Sequence, residues 1–273
     1  LKALQQLAAT HRRQFSVPVI GITGSNGKTI VKEWINYILE RKLRIVRSPK
    51  SYNSQIGVPL SVWQMSAGDE MAIFEAGISL PGEMTHLEKI IQPTIGIITN
   101  IGEAHSEGFS GIEHKLAEKL RLFVGSHVLI YCKDHELIDQ YLHLKENRKI
   151  VPGVLFSWGR SSESTVCVTG VERSEGQSTI SIRYREKSGK FSIPYTDAAS
   201  VENAMHSIAA ALYLGYSPES ISEKISSLPA IAMRLEMKQG INRCSVINDS
   251  YSADWSSLKI ALDFLSQQQQ HPK

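Results

Sequence analysis

Residues 19–29, VIGITGSNGKT, decide how this chain is read. A run of apolar, mostly β-branched residues ends at Thr23, Gly24 and Gly27 bracket a tight turn, and Lys28-Thr29 open a helix. The apolar positions of that helix, Val31, Trp34, Ile35, Ile38 and Leu39, recur at i, i+3, i+4, i+7 and i+8. Strand, glycine turn, Gly-Lys-Thr, helix is the context in which a P-loop holds phosphate. Glycines let backbone N–H groups turn inward on phosphate oxygens, and the helix start adds its unpaired N–H groups and positive dipole end. Ser25 and Asn26 lie in the cradle, Lys28 would reach the β and γ phosphates of ATP, and Thr29 offers a hydroxyl to Mg²⁺. The spacing is shorter than the strict G-x-x-x-x-G-K-[ST] pattern, because Ile22 stands where its first glycine belongs. The bland alternative is a glycine-rich turn with an exposed lysine.

Outward from this unit, further strands are expected at 71–77, 94–102 and 127–132, with helices around 83–91 and 112–124. Polar residues at or just past the strand ends mark the edge of a parallel sheet where ligands bind. From about 150 to 196 the chain changes to β-rich pieces, TVCVTGV, STISIRYR and KFSIPY, which read as an antiparallel patch. Helices resume with Val201, Met205, Ile208 and Leu212, stopped by Gly215, and again from Ser217-Pro218. The fold class is α/β: a mostly parallel P-loop-type sheet flanked by helices, with an antiparallel β patch. CSVIND and a helix from about 252 to 265 read as the start of a Rossmann-like domain cut short. The expected divisions are 1–16 as a linker or domain remnant, 17–232 as a central nucleotide-binding domain, and 233–273 as the start of a further domain. With Leu1 in first place and a helical pattern breaking off at SQQQQHPK, the chain reads as a piece of a longer protein.

Of 273 residues, 42% are hydrophobic and 21% charged, enough to bury a full core, and the net charge of +3 is mild. With no basic run, nucleic acid is not an expected partner. No apolar stretch approaches the roughly 20 residues of a membrane span, and the opening LKALQQLAATHRRQF lacks a signal-peptide core. Three cysteines without a CxxC pair fit a reducing, cytoplasmic setting. A monomer is expected.

TGSNGKT, followed in order by NSQIGVPL (53–60), FEAGISLPGEM (74–84) and TNIGEAHSEGF (99–109), resembles the Mur ligase family from about Pro18 to the chain end. Ile30 stands where the family usually has a second Thr or Ser. Glu75, Gly77, Pro81-Gly82-Glu83 and the GEAHSEGF string are most similar to the branch that joins D-alanyl-D-alanine to a UDP-muramoyl tripeptide. The resemblance implies an ATP- and Mg²⁺-dependent ligase in which a phosphoryl group activates a carboxylate for attack by an amine. Its partners would then be a UDP-muramoyl peptide and D-alanyl-D-alanine.

The same resemblance implies roles for particular residues. Thr29, Glu75 and His105 would be metal ligands. Lys119 in AEKLRLF matches a family lysine that reacts with CO₂ to become an anionic oxygen ligand, although Lys115 lies one helical turn away and a solvated lysine is the ordinary reading. Glu75 in an apolar run would otherwise be a surface carboxylate. Asn53 and the Gly57-Val58-Pro59 turn resemble a peptide-substrate segment, though an Asn opening a turn needs no function. Asn203 matches an adenine-contacting asparagine, with Ala199 replacing the histidine usually found four residues earlier. Arg234 resembles a phosphate-approaching arginine at a domain junction. Asp249 and Tyr251 match a D-x-Y signature, with Asp254-Trp255 replacing its usual Asn-Pro, and Asp249 also fits an ordinary helix start. Two rivals stay open: another ligase of the superfamily, including folylpolyglutamate-type enzymes, and a P-loop NTPase switch.

Overall fold

The computed structural model of the chain describes residues 1–102, 108–149, 151–251 and 255–267. In chain order the elements are α1 (Lys2–Arg12), β1 (Val19–Thr23), α2 (Lys28–Leu39), β2 (Ile45–Arg47), α3 (Gly57–Val62), β3 (Met71–Glu75), α4 (Glu83–Ile91), β4 (Ile95–Ile98), α5 (Ile112–Leu120), β5 (Val128–Cys132) and α6 (Glu136–His143). There follow β6 (Val154–Gly159), β7 (Val166–Ser174), β8 (Gln177–Tyr184), β9 (Lys187–Ile193), α7 (Ala198–Tyr213), α8 (Pro218–Ile225), β10 (Glu236–Gln239), β11 (Ser245–Asn248) and α9 (Trp255–Gln267).

Among the described residues one sheet runs β2-β3-β1-β4-β5-β6-β7-β8-β9, parallel from β2 to β7 and antiparallel through β8 and β9. Strand β1 lies between β3 and β4, so the chain winds one way to β3 and then the other way from β4. A crevice forms beyond the carboxyl ends of the strands at such a reversal, and the glycine turn after β1 opens into it.

Both faces of the central strands are covered, which is why they read as unbroken apolar runs rather than alternating ones. Alternate side chains feed two cores. Ile20, Ile22, Ile73, Ile97 and Ile130 pack with Trp34 and Ile35 of α2, Met205 and Ile208 of α7, and Ile221 of α8. Val19, Phe74, Ile98, Leu129 and Tyr131 pack with α1, α3, α4, α5 and α6 on the opposite face. Helix α7 starts where the Asp197 side chain accepts from the Ser200 N–H at 2.7 Å, and α8 starts at Ser217 with Pro218 in its first turn.

Several sequence expectations change in detail. The strand expected over 71–77 stops at Glu75, after which Gly77 turns to the Asn53 carbonyl, and that over 94–102 stops at Ile98, where residues 99–102 turn toward the loop after β1. The antiparallel patch is appended to the parallel sheet through β6 and β7, as the sequence suggests. The opening segment contains helix α1, docked on α3 and α4. Its buried Arg12 donates to the Ile91, Phe15 and Gln92 carbonyls at 2.9, 2.6 and 3.1 Å, satisfying the end of α4. The CSVIND strand, β11, pairs antiparallel with β10, which has no clear signature in the sequence. No helix among the described residues is long and apolar enough to cross a membrane.

Gly96 pairs with Gly21 across β4 and β1, and a Cβ at Gly96 would stand 2.5 Å from the wholly buried Phe123 ring. Gly96→Ala is therefore expected to destabilise the chain by about 1–3 kcal/mol through overpacking. A urea midpoint equal to that of the parent chain would show that this close approach is not required.

Candidate active site

The loop after β1 is shaped by two glycines and by a neighbouring segment. Gly24 and Gly27 have φ of +143° and +82°; a side chain at Gly24 would run into the Thr99 hydroxyl, and one at Gly27 into the Asn203 amide. Residues 99–102 then line the loop. The Ser25 N–H donates to the Asn100 carbonyl at 2.8 Å, and the Gly102 N–H donates to Ser25 Oγ at 2.9 Å. The Asn26 N–H donates to Asn100 Oδ1 at 3.0 Å, while Thr99 Oγ1 donates to the Asn26 carbonyl at 2.6 Å. Lys28, first residue of α2, folds back so that Nζ donates to the Gly24 and Ser25 carbonyls at 2.8 Å each. Its ammonium therefore sits at the loop itself, near the end of α2 where backbone N–H groups lack helical partners.

One residue on, Thr29 Oγ1 donates to Glu75 Oε2 at 3.0 Å and lies 2.9 Å from Ser51 Oγ. Glu75 ends β3 and is 0% exposed. Its Oε1 stands 3.0 Å from Lys32 Nζ without making a hydrogen bond. Lys32 is likewise fully buried and donates to the Ser48 and Lys50 carbonyls. A buried carboxylate, one oxygen accepting from Thr29 and the other beside Lys32, next to two hydroxyls, is a set of hard oxygen donors of the kind Mg²⁺ takes. Among the described residues, Thr29 and Glu75 meet directly.

Helix α5 directs two buried lysines toward the same loop. Lys119 Nζ donates to the Gly24 carbonyl at 3.1 Å, and Lys115 Nζ to the Gly102 carbonyl at 2.6 Å. The ordinary reading of Lys119 as a solvated helix-face lysine does not hold, since it is 3% exposed. Burial holds its pKa well below the ordinary lysine range, and the charges of Lys28 and Lys115 lower it further.

Helix α7 closes the loop from the other side. Asn203 abuts Gly27, and Glu202 Oε1 accepts from Asn100 Nδ2 at 3.3 Å and meets His135 Nε2 at 3.0 Å. His206 Nδ1 accepts from Trp158 Nε1 at 3.1 Å, which leaves Nε2 to donate to the Thr99 carbonyl at 3.1 Å. Total burial lowers the His206 pKa to about 4, so the ring is neutral near pH 7. From past β9 and α8, Arg234 Nη2 reaches Thr29 Oγ1 and Ser51 Oγ, both at 3.3 Å, while its guanidinium stacks 4.1 Å from the Tyr251 ring centre. Asp249 Oδ1 accepts from the Leu235 N–H at 3.1 Å, tying β11 to the residue after Arg234.

Lys28, Thr29, Glu75, Lys119, Asn203 and Arg234 thus converge on the loop formed by Gly24, Ser25, Asn26 and Gly27. Asn53 lies to one side: its carbonyl accepts from the Gly77 N–H at 2.8 Å and its side chain backs onto Gly77. His105 and Asp254 lie outside the described residues. Sequence reasoning missed Lys32, Ser51, Asn100, Glu202 and His135. Lys32 follows Lys28 by one helical turn, the one signal that both belong to the same helix face.

The model of the Mur ligase middle domain matches residues 22–211. The chain is 34% identical over 265 residues to the UDP-N-acetylmuramoyl-tripeptide–D-alanyl-D-alanine ligase of Bacillus subtilis, a match covering 96% of this chain and 56% of that protein. The protein of the same name from Borreliella burgdorferi is 31% identical, with 94% and 54% covered. Among solved structures, a crystal structure of MurF from Acinetobacter baumannii superposes with a TM-score of 0.86 at 28% identity, covering 97% of this chain and 58% of that one. MurF ligase from Thermotoga maritima, solved in complex with ADP, shares the fold with a TM-score of 0.83 at 22% identity. The chain spans about half the length of the curated relatives it matches. On the match to residues 22–211, which takes in the loop, the buried Glu75 and both α5 lysines, the chain belongs to the Mur ligase family.

Proposed function

We propose that this chain is the ATP-binding core of a cytoplasmic ligase that joins D-alanyl-D-alanine to a UDP-muramoyl tripeptide during peptidoglycan precursor synthesis. The observation that carries this reading is the meeting of Lys28, Thr29, Glu75 and Arg234 at one loop, with Thr29 3.0 Å from Glu75 and 3.3 Å from Arg234. The names of the Bacillus subtilis and Borreliella burgdorferi relatives support the choice of substrates.

A carboxylate and an amine do not condense in water at neutral pH without activation. In the proposed reaction the γ-phosphoryl group of ATP passes to the tripeptide carboxylate and ADP leaves. The amine of D-alanyl-D-alanine then attacks the acyl carbon, giving up a proton as phosphate departs. Both partners in the first step are anions, so the protein's work is positioning and charge compensation. The backbone N–H groups at the start of α2 and the Lys28 ammonium would hold phosphate oxygens, and Arg234 brings a second cation to the Thr29 side. Thr29 and Glu75 would hold Mg²⁺, joined in this reading by His105 and Lys119. That ion would supply further neutralisation of phosphate charge. Asn203, packed against Gly27, would face the adenine, and Asn53 the peptide substrate. Asp249 supports Arg234 through the Leu235 backbone.

Lys28→Ala is expected to weaken ADP binding in the presence of Mg²⁺ by roughly 10- to 100-fold, the loss expected for a charge-assisted contact. Calorimetry giving the same affinity for parent and variant would show that phosphate binds elsewhere.

Lys119 has the burial and the cationic neighbours that favour its neutral amine, the form that attacks CO₂. After equilibration with ¹³C-bicarbonate, a carbamate carbonyl resonance is expected in the parent chain and in Lys115→Ala, and not in Lys119→Ala. In a ligation-competent protein containing this chain, Lys119→Ala should abolish product formation, with partial recovery in acetate. A resonance that persists in Lys119→Ala and vanishes in Lys115→Ala would reverse the assignment.

A further inference from the structure

The side chain of Asn100 touches the phosphate loop through one atom and α7 through another. Its Oδ1 accepts from the Asn26 N–H at 3.0 Å, and its Nδ2 donates to Glu202 Oε1 at 3.3 Å. An amide of this kind has two ends of nearly equal size, and its orientation is set by its partners. The Asn26 N–H only donates and requires the oxygen end. An ionised carboxylate only accepts and requires the nitrogen end, so Glu202 and the loop demand the same orientation.

Glu202 is itself held. His135 Nε2 meets the same Oε1 at 3.0 Å, from the turn after β5. Burial would raise the Glu202 pKa, but the His135 hydrogen bond and charge, with His206 and Asn100, outweigh it and keep the carboxyl below its usual range. The pair is roughly one quarter to one third exposed, 27% for Glu202 and 32% for His135, so it does not form part of the hydrophobic core.

We propose that Glu202 is a positioning residue for the phosphate loop: as an acceptor steadied by His135, it fixes the Asn100 amide with its oxygen toward the Asn26 N–H. This deepens the ATP-binding reading and rests on it. Replacing Glu202 by Gln puts a donor where only an acceptor stood. Only the Asn26 N–H then still calls for the oxygen end of Asn100, so the amide is held less firmly, and in its reversed orientation it would set its NH₂ against the Asn26 N–H.

The test is calorimetry on the full chain with two probes, ADP and inorganic tripolyphosphate, alongside thermal melting. Glu202→Gln is expected to melt near the parent temperature while weakening both probes roughly five- to tenfold, the size of one lost hydrogen bond. Tripolyphosphate has no base, so its weakening places the effect at the loop. Asn100→Asp, which faces one carboxylate with another, should weaken both probes further. The double variant Asn100→Asp with Glu202→Gln reverses the polarity, the introduced amide on α7 being the donor and the introduced carboxylate the acceptor for the loop N–H; it should bind better than Asn100→Asp alone. Unchanged tripolyphosphate affinity in Glu202→Gln, an effect on ADP alone, or simple additivity in the double variant would overturn the proposal. A parent chain that binds neither probe would overturn the ATP reading, and this inference with it. Should Asn100→Asp fail to fold, the two probes on Glu202→Gln still decide the matter.

Discussion

Asn26 is held through its own peptide groups, the N–H by Asn100 and the carbonyl by Thr99, and the site is arranged around that constraint. A loop that turns its N–H groups inward has no helix or sheet to satisfy its other polar atoms, and buried peptide groups without partners are costly. Here the partners come from the segment after β4, which gives up its strand geometry at Ile98 to supply them. Thr99 and Asn100 are fixed in turn by His206 and Glu202 of α7, so the loop's shape depends on a helix about a hundred residues beyond the segment that holds it.

Charge is the second constraint. Lys28 and Lys115 point at carbonyls of the loop and of the segment beside it, so like charges gather around the buried Lys119 amine, where peptide dipoles must compensate them. Such a cluster is electrostatically unfavourable alone and complementary to a polyphosphate, a local conflict of the sort found at binding sites. The buried pair of Lys32 and Glu75 serves a different end. Lys32, which also donates to the Ser48 and Lys50 carbonyls, stands 3.0 Å from the Glu75 carboxyl and ties the end of β3 to the 48–51 turn. Such pairs contribute little net stability, but loss of one partner leaves an unpaired buried charge.

The same carbonyl bonds place the turn carrying Ser51 against Thr29. Lys50 in that turn has a φ of +48°, a region that a side chain adopts at some cost. With Arg234 reaching in from beyond α8, the hydroxyl pair becomes the point where the sheet, the 48–51 turn and the C-terminal segment meet.

Local order made much of this molecule legible. The run VIGIT, the glycines and the 3.6-residue spacing from Val31 to Leu39 sufficed for β1, the loop and α2, because a strand buried on both faces and a helix buried on one leave periodic apolar signatures. Glu75, Lys119 and Arg234 stood out through ordered motifs rather than through any property of a lone carboxylate, lysine or arginine. What stayed hidden was set by partners distant in sequence. Strand β2 has three residues of intermediate exposure and leaves no period to detect. The 99–102 segment, which follows the apolar run of β4 without a break and so passes for strand, is turned aside by its bonds to the loop. The burial of Lys32 depends on the Ser48 and Lys50 carbonyls, and the role of Glu202 on an amide 102 positions away. The sequence by itself determined where β1, the phosphate turn, α2 and the other strongly periodic strands and helices lie, since those follow from local periodicity and backbone freedom. Only the tertiary structure decided which polar groups share a hydrogen bond, because that depends on strand order and on the approach of α5, α7 and the C-terminal segment to the end of β1.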